Sequence, residues 1–220
     1  MELKGKKGAF LGDSITEGAG ASCKENNFVN VFGRITGAEA LNFGKSGTRI
    51  SKQPMEIKGP GWDEDFLERA KRIPEDVDAI VVFGGTNDFG HGFAPLGAME
   101  DRTSYTFYGA MHMLLLYLLE HYPNADLLVL TPTHRLNEEN PFGDGGDRKT
   151  VRTGILREYV QAEREVCEYY SINVLDLFAV SGMQPRIQII KETYMPDGLH
   201  PNDKGHERIA NLVANTLKLR

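Results

Sequence analysis

Ser14 stands in the run Gly12, Asp13, Ser14 and Ile15, just after a short apolar segment near the start of the chain. A serine hydroxyl becomes a nucleophile when a neighbouring base takes its proton, and neutral histidine suits that task near neutral pH. His200, in the run Asp197, Gly198, Leu199 and His200, is the candidate base. Asp197, three residues earlier, can accept from the far ring nitrogen and stabilise the imidazolium, so the three residues spell acyl transfer. His206 is the nearest competitor, but it shares a helical face with Ile209 and Val213 and is expected to pack at the helix end.

Acyl transfer also needs hydrogen-bond donors fixed where negative charge develops on the acyl oxygen. Three candidates follow predicted strands: the backbone N–H of Ser14, the backbone N–H of Gly47, and the side-chain amide of Asn87. Each has a plainer reading. Gly44 and Gly47 can simply shape a strand-to-helix turn, Asn87 can make an Asx-turn, and Asp13 can bond nearby backbone amides. Asp13, Arg49, Trp62, Phe89, His91 and Phe93 flank the proposed site and are the candidate substrate contacts. For Arg49 the alternative is pairing with a nearby acid, and for the aromatic residues it is loop packing.

These residues need strands and turns to bring them together. Apolar runs at Ala9, Phe10 and Leu11, then at 40–43, 79–83, 127–130 and 174–177, read as buried strands. Between them, helical spacing links Met111, Leu114, Leu115, Leu118 and Leu119, then Ile155, Tyr159, Ala162 and Val166, and finally Ile209, Leu212, Val213 and Leu217. The alternation predicts an α/β fold, a three-layer sandwich around a parallel sheet of about five strands. Ligands of such sheets bind outside the carboxyl ends of the strands, which is where the candidate residues fall. Pro201 and Asn202 put His200 in the loop before the last helix, with Asn202 or Asp203 able to cap it.

The four segments resemble the blocks of the GDSL or SGNH hydrolases. They are Gly12, Asp13, Ser14 and Ile15; residues 42–47; Gly84, Gly85, Thr86, Asn87 and Asp88; and Asp197, Gly198, Leu199 and His200. The resemblance spans nearly the whole chain in the family's order. It implies a flavodoxin-like α/β/α sandwich, with Ser14 as nucleophile, His200 as base and Asp197 as its orienting acid. Ser14, Gly47 and Asn87 would be the oxyanion donors, and neither cofactor nor metal would be needed. Family members include esterases, lipases, thioesterases and carbohydrate deacetylases. With no lid-like amphipathic helix apparent, short acyl esters such as acetylated carbohydrates are the expected substrates. The alternatives are a lipase, lysophospholipase or thioesterase of the same mechanism, and a non-catalytic carbohydrate- or flavin-binding module.

Composition narrows the partners. The 220 residues suffice for a single domain, 1–220, and the net charge of −6 comes with 25 Lys and Arg residues spread along the chain. No nucleic-acid footprint follows from that spread, which points to a small or neutral ligand, and the resemblance implies that this ligand is a small-molecule ester. The apolar stretch 111–119 is shorter than the roughly 20 residues a membrane span needs. Cys23 and Cys167 have no CxxC or zinc-ligand spacing, and the first apolar run is too short for an export signal; both predict a cytoplasmic protein. The polar segment 137–149 is expected to be a long surface loop.

Overall fold

Lys7–Gly12 forms β1, and its side chains alternate between two separate apolar layers. Ala9 and Leu11 join one core, whereas Phe10 joins the other. A strand buried on both faces reads as a continuous apolar run, which is why 9–11 carries no polar alternation. This computed structural model describes residues 3–56, 59, 62–145, 149 and 152–217.

After β1 come α1 (Ser14–Glu17), a single 3-10 turn (Lys24–Asn26), α2 (Phe28–Thr36) and β2 (Glu39–Gly44). Next are α3 (Phe66–Ala70), β3 (Ala79–Phe83), α4 (Thr86–His91), α5 (Phe107–His121) and β4 (Asp126–Leu130). The chain continues through α6 (Leu156–Tyr169), β5 (Asn173–Leu175), α7 (Leu177–Val180), α8 (Gln188–Tyr194) and α9 (Asp203–Leu217). The five strands pair in parallel in the order β2-β1-β3-β4-β5. Strand order reverses beside β1, so the crevice at the carboxyl ends of β1 and β3 is the place where this topology puts ligands.

Each face of the sheet has its own helical layer. Phe28, Val31 and Phe32 of α2 and Ile209, Ala210 and Val213 of α9 cover Phe10, Val81 and Leu128. Phe66 of α3, Met111, Leu114 and Leu118 of α5, and Tyr159 and Val166 of α6 cover Leu11, Ile80 and Val129. The predicted α/β/α sandwich with a five-stranded parallel sheet is the observed fold. The fifth strand is shorter than the apolar run 174–177 predicts. It ends at Leu175 because the Asp176 side chain accepts from the Ala179 N–H and starts α7, so Leu177 is helical.

Of the expected 137–149 loop, residues 146–148 lie outside the described residues. The rest is not merely a surface excursion. Asp144 pairs with the buried Arg135, and Lys149, 1% exposed, donates to the Asp88 carbonyl at 3.1 Å and to that of Phe89. This segment therefore braces α4 from outside the sheet.

Candidate active site

β1 ends at Gly12, where a Cβ would run into Thr16 and the Phe83 carbonyl, so only glycine lets the chain turn this tightly into α1. Asp13 caps that turn, its Oδ1 accepting from the Ile15 N–H at 2.9 Å. Ser14 is then the first helical residue. Its hydroxyl sits on the strand-end surface, 8% exposed, and its N–H has no preceding helical carbonyl to meet.

His200 reaches Ser14 from the other end of the chain. Its Nε2 lies 3.1 Å from Ser14 Oγ, and its Nδ1 lies 2.7 Å from Asp197 Oδ2. A carboxylate only accepts, so Nδ1 carries the proton and Nε2 is left to accept from the serine hydroxyl. Asp197 Oδ1 also accepts from the N–H groups of Leu199 and His200, at 2.8 and 2.7 Å. Partial burial pushes the Asp197 carboxyl up, but the hydrogen bonds from the His200 ring and from these backbone N–H groups outweigh it. They hold the carboxyl at about 2. The loop itself is carried by the segment after β4, where the Leu136 N–H donates to the Gly198 carbonyl at 2.9 Å.

The spacing Asp-x-x-His recurs at Asp88 and His91 and at Asp203 and His206. Asp88 is spent elsewhere, accepting from the N–H groups of Ile50 and Ser51, each at 2.9 Å, and from the Ser51 hydroxyl. Asp203 accepts from Ser22 and Asn26. His206 is buried at the start of α9, stacked on Phe28 and bonded to the Phe28 N–H and the Ala19 carbonyl, as its helical face predicts. Asn202 caps α9 through the Gly205 N–H. Among the three histidines it is His200 that meets a serine.

The turn after β2 brings Gly47 to the same end of the sheet. Gly47 has φ of +76°, and a Cβ there would collide with the Trp62 indole. Arg69 fastens the turn from beneath, donating to the carbonyls of Gly12, at 2.9 Å, and Phe43, and to the Thr48 hydroxyl at 2.8 Å. Asn87, in α4 at the end of β3, donates through Nδ2 to the Thr48 carbonyl at 3.0 Å, joining the β2 and β3 ends. The structure thus gathers Ser14, Gly47, Asn87, Asp197 and His200 at one strand-end crevice. Arg69, Thr48, Asp88, Arg135 and Lys149 brace it and were not read as site residues, because their main partners lie far off in sequence. The one available signal was Asp88, adjacent to Asn87 in the third block.

The expected substrate contacts divide. Trp62 and His91 are half-buried beside Gly47 and Asn87, stacked at 4.9 Å. Phe93 is half-buried too, its N–H donating to Gln53. Three expectations are corrected. Phe89 is fully buried, edge-on to Tyr159, because the α4 turn points it into the core. Asp13 is 2% exposed beneath Ser14; burial pushes its carboxyl up to about 6 against the Ile15 N–H and the charges of His200 and Arg69. Arg49 is 1% exposed and ion-paired with Asp63 at 2.6 Å, so its plainer reading is the observed one.

A five-stranded parallel sandwich with a serine, an imidazole and a carboxylate in series at its strand ends defines a hydrolase-type α/β/α protein. The chain belongs to the GDSL-like Lipase/Acylhydrolase family, whose model matches residues 10–208, and it is an ester hydrolase. One solved structure, 32% identical over 99% of this chain and 98% of its own, superposes with a TM-score of 0.84. A protein from Lactobacillus plantarum is 29% identical, with 98% of each chain covered and a TM-score of 0.82. The lipase/acylhydrolase from Enterococcus faecalis shares the fold at 20% identity, covering 97% of this chain and 95% of its own, with a TM-score of 0.63. A search of curated proteins gives no match. Among the described residues, no helix is long and apolar enough to cross a membrane, and no cluster of three or more metal-ligating side chains forms.

Proposed function

We propose that the protein is a serine esterase that works through an acyl-enzyme, with Ser14 as nucleophile, His200 as general base and Asp197 as its orienting acid. The observation that carries this reading is the series Ser14 Oγ, His200 Nε2 at 3.1 Å, and His200 Nδ1 to Asp197 at 2.7 Å. His200 takes the hydroxyl proton as Ser14 Oγ bonds to the ester carbonyl carbon. The resulting oxyanion is met by the N–H groups of Ser14 and Gly47 and by the Asn87 amide. Collapse expels the alcohol, which leaves with the proton from His200. Water, deprotonated by the same imidazole, then attacks the acyl carbonyl and releases the acid and free Ser14.

The substrates proposed are small esters with short acyl groups, acetylated carbohydrates among them. Trp62, packed directly against Gly47, narrows the space beside the oxyanion donors. Its indole offers the kind of face on which sugar rings pack. Hydrolysis of p-nitrophenyl acetate, butyrate and a long-chain ester by wild type, Ser14→Ala and His200→Ala tests the whole reading. Acetate is expected to be turned over fastest, and both variants are expected to fall to background. Unchanged activity in Ser14→Ala removes the nucleophile, and a long-chain preference removes the short-acyl assignment in favour of a lipase.

A further inference from the structure

Gly47 and Asn87 sit on different strand ends, yet a closed ring of side-chain contacts links them. Arg49 Nη1 donates to the Gly47 carbonyl at 3.2 Å and lies 3.2 Å from His91 Nδ1. His91 Nε2 lies 3.1 Å from Asn87 Oδ1, and Asn87 Nδ2 returns to the Thr48 carbonyl at 3.0 Å. Guanidinium nitrogens only donate, so Nδ1 of His91 is the accepting nitrogen and Nε2 carries the proton. The Asn87 amide is then fixed from both sides, since its oxygen faces a donor and its nitrogen faces a carbonyl. Flipping it would set N–H against N–H and oxygen against oxygen. One amide hydrogen goes to Thr48, and the other is left to point elsewhere.

We infer that His91, held in its Nε2–H tautomer by Arg49, is a positioning residue that orients Asn87 as an oxyanion donor, an assignment that rests on the serine-esterase reading above. Arg49 suits this task better than substrate binding. It is buried, its Nη2 donates to Asp63 at 2.6 Å, and its guanidinium carbon lies 4.4 Å from the centre of the Trp62 ring. Trp62 in turn stacks on His91 at 4.9 Å with 22° between the planes. Two residues expected from their sequence position to touch substrate therefore act on the donors instead, through Asn87 and the Gly47 carbonyl.

The test compares His91→Phe, which keeps a ring for Trp62 but neither hydrogen bond, with His91→Gln, whose amide can both donate and accept. With p-nitrophenyl acetate, His91→Phe is expected to lower kcat by roughly 10–100-fold and leave KM within about twofold, less than the roughly 10²–10³ lost with a whole donor. His91→Gln is expected to recover most of that loss. Ring nitrogen chemical shifts of His91 in the full-length wild type, measured by NMR, are expected to show Nε2 protonated and Nδ1 bare. An unchanged kcat in a folded His91→Phe, a raised KM at constant kcat, or a proton on Nδ1 would each overturn the inference. Ser14→Ala run alongside separates the two claims: its loss of activity keeps the serine reading whatever His91 does. The NMR readout stands even if the ester is not hydrolysed or His91→Phe does not fold.

Discussion

His200 Nε2 and Ser14 Oγ approach to 3.1 Å although they stand 186 positions apart in the chain. Both sit in turns at the carboxyl edge of one sheet, Ser14 directly after β1 and His200 in the loop between α8 and α9. Because the Asp197 carboxylate takes up Nδ1, the lone pair on Nε2 is the one aimed at the serine. The proposed chemistry depends on that tautomer as much as on the distance.

Asp197→Asn tests the tautomer. An asparagine can present its amide N–H to Nδ1, which moves the ring proton to Nε2 and leaves nothing to accept from Ser14. With the geometry otherwise kept, kcat on p-nitrophenyl acetate is expected to fall by about 10⁴. A variant retaining more than a tenth of wild-type kcat would contradict the proposed role.

Gly47→Ala is expected to fail for two reasons that can be separated. The φ of +76° strains any residue with a Cβ, and the added carbon meets the Trp62 indole. Activity should drop by roughly 10²–10³ as the donor shifts. Adding Trp62→Ala removes the collision but not the φ strain, so the double variant should recover only part of the rate, as read by kcat.

Asp13 ties stability to pH. Burial raises its carboxyl to about 6, so the folded chain holds this proton more tightly than the unfolded chain, whose aspartate titrates near the ordinary value of 3.8. The contribution to stability is therefore full below about pH 4 and is lost as pH rises through about 6. Asp13→Asn keeps an acceptor for the Ile15 N–H and carries no charge. Its melting temperature should equal that of wild type near pH 4 and exceed it by roughly 3 °C or more at pH 8, measured by calorimetry.

Glu163 is a second buried acid, fully enclosed on α6 behind Gly85, and neither carboxyl oxygen has a hydrogen-bond partner among the described residues. Burial, reinforced by the charges of Asp88, Asp176 and Asp13, raises its carboxyl well above the ordinary value. The sign is the same as for Asp13: stability is present at low pH and lost as pH rises through the folded value. Glu163→Met, similar in length and apolar, should melt higher than wild type, with the gain growing as pH rises above the ordinary glutamate range. A gain that shrinks with pH would show that the carboxyl is ionised and paired.

Much of the site was legible because it lies in short local patterns. A strand end followed by Gly, Asp and Ser, or by Gly, Gly, Thr and Asn, carries its turn chemistry in adjacent residues. The strands themselves were legible because burial on both faces removes polar residues from 9–11 and 79–83. The misreadings were directional. Phe89 follows Asn87 by two positions, and residues two apart on a helix do not share a face, so the turn that sends Asn87 to Thr48 sends Phe89 into the core. Arg49 was a candidate because it closely follows the Gly47 turn, yet Asp63, 14 residues further on, pairs with it.

By itself the sequence determined the alternating elements, the order of the four blocks and the residue types able to transfer an acyl group. Spacing by itself does not separate Asp197 with His200 from Asp88 with His91 or Asp203 with His206, because every pair has the same Asp-x-x-His spacing. Only the tertiary structure decided which histidine meets Ser14, which packs beneath α2, and which turns its ring between Arg49 and Asn87. Those choices rest on contacts spanning tens to hundreds of residues, set by how strands β1, β2 and β3 align their ends. Local periodicity reports which face of an element is apolar; what that face meets is fixed when the sheet is assembled.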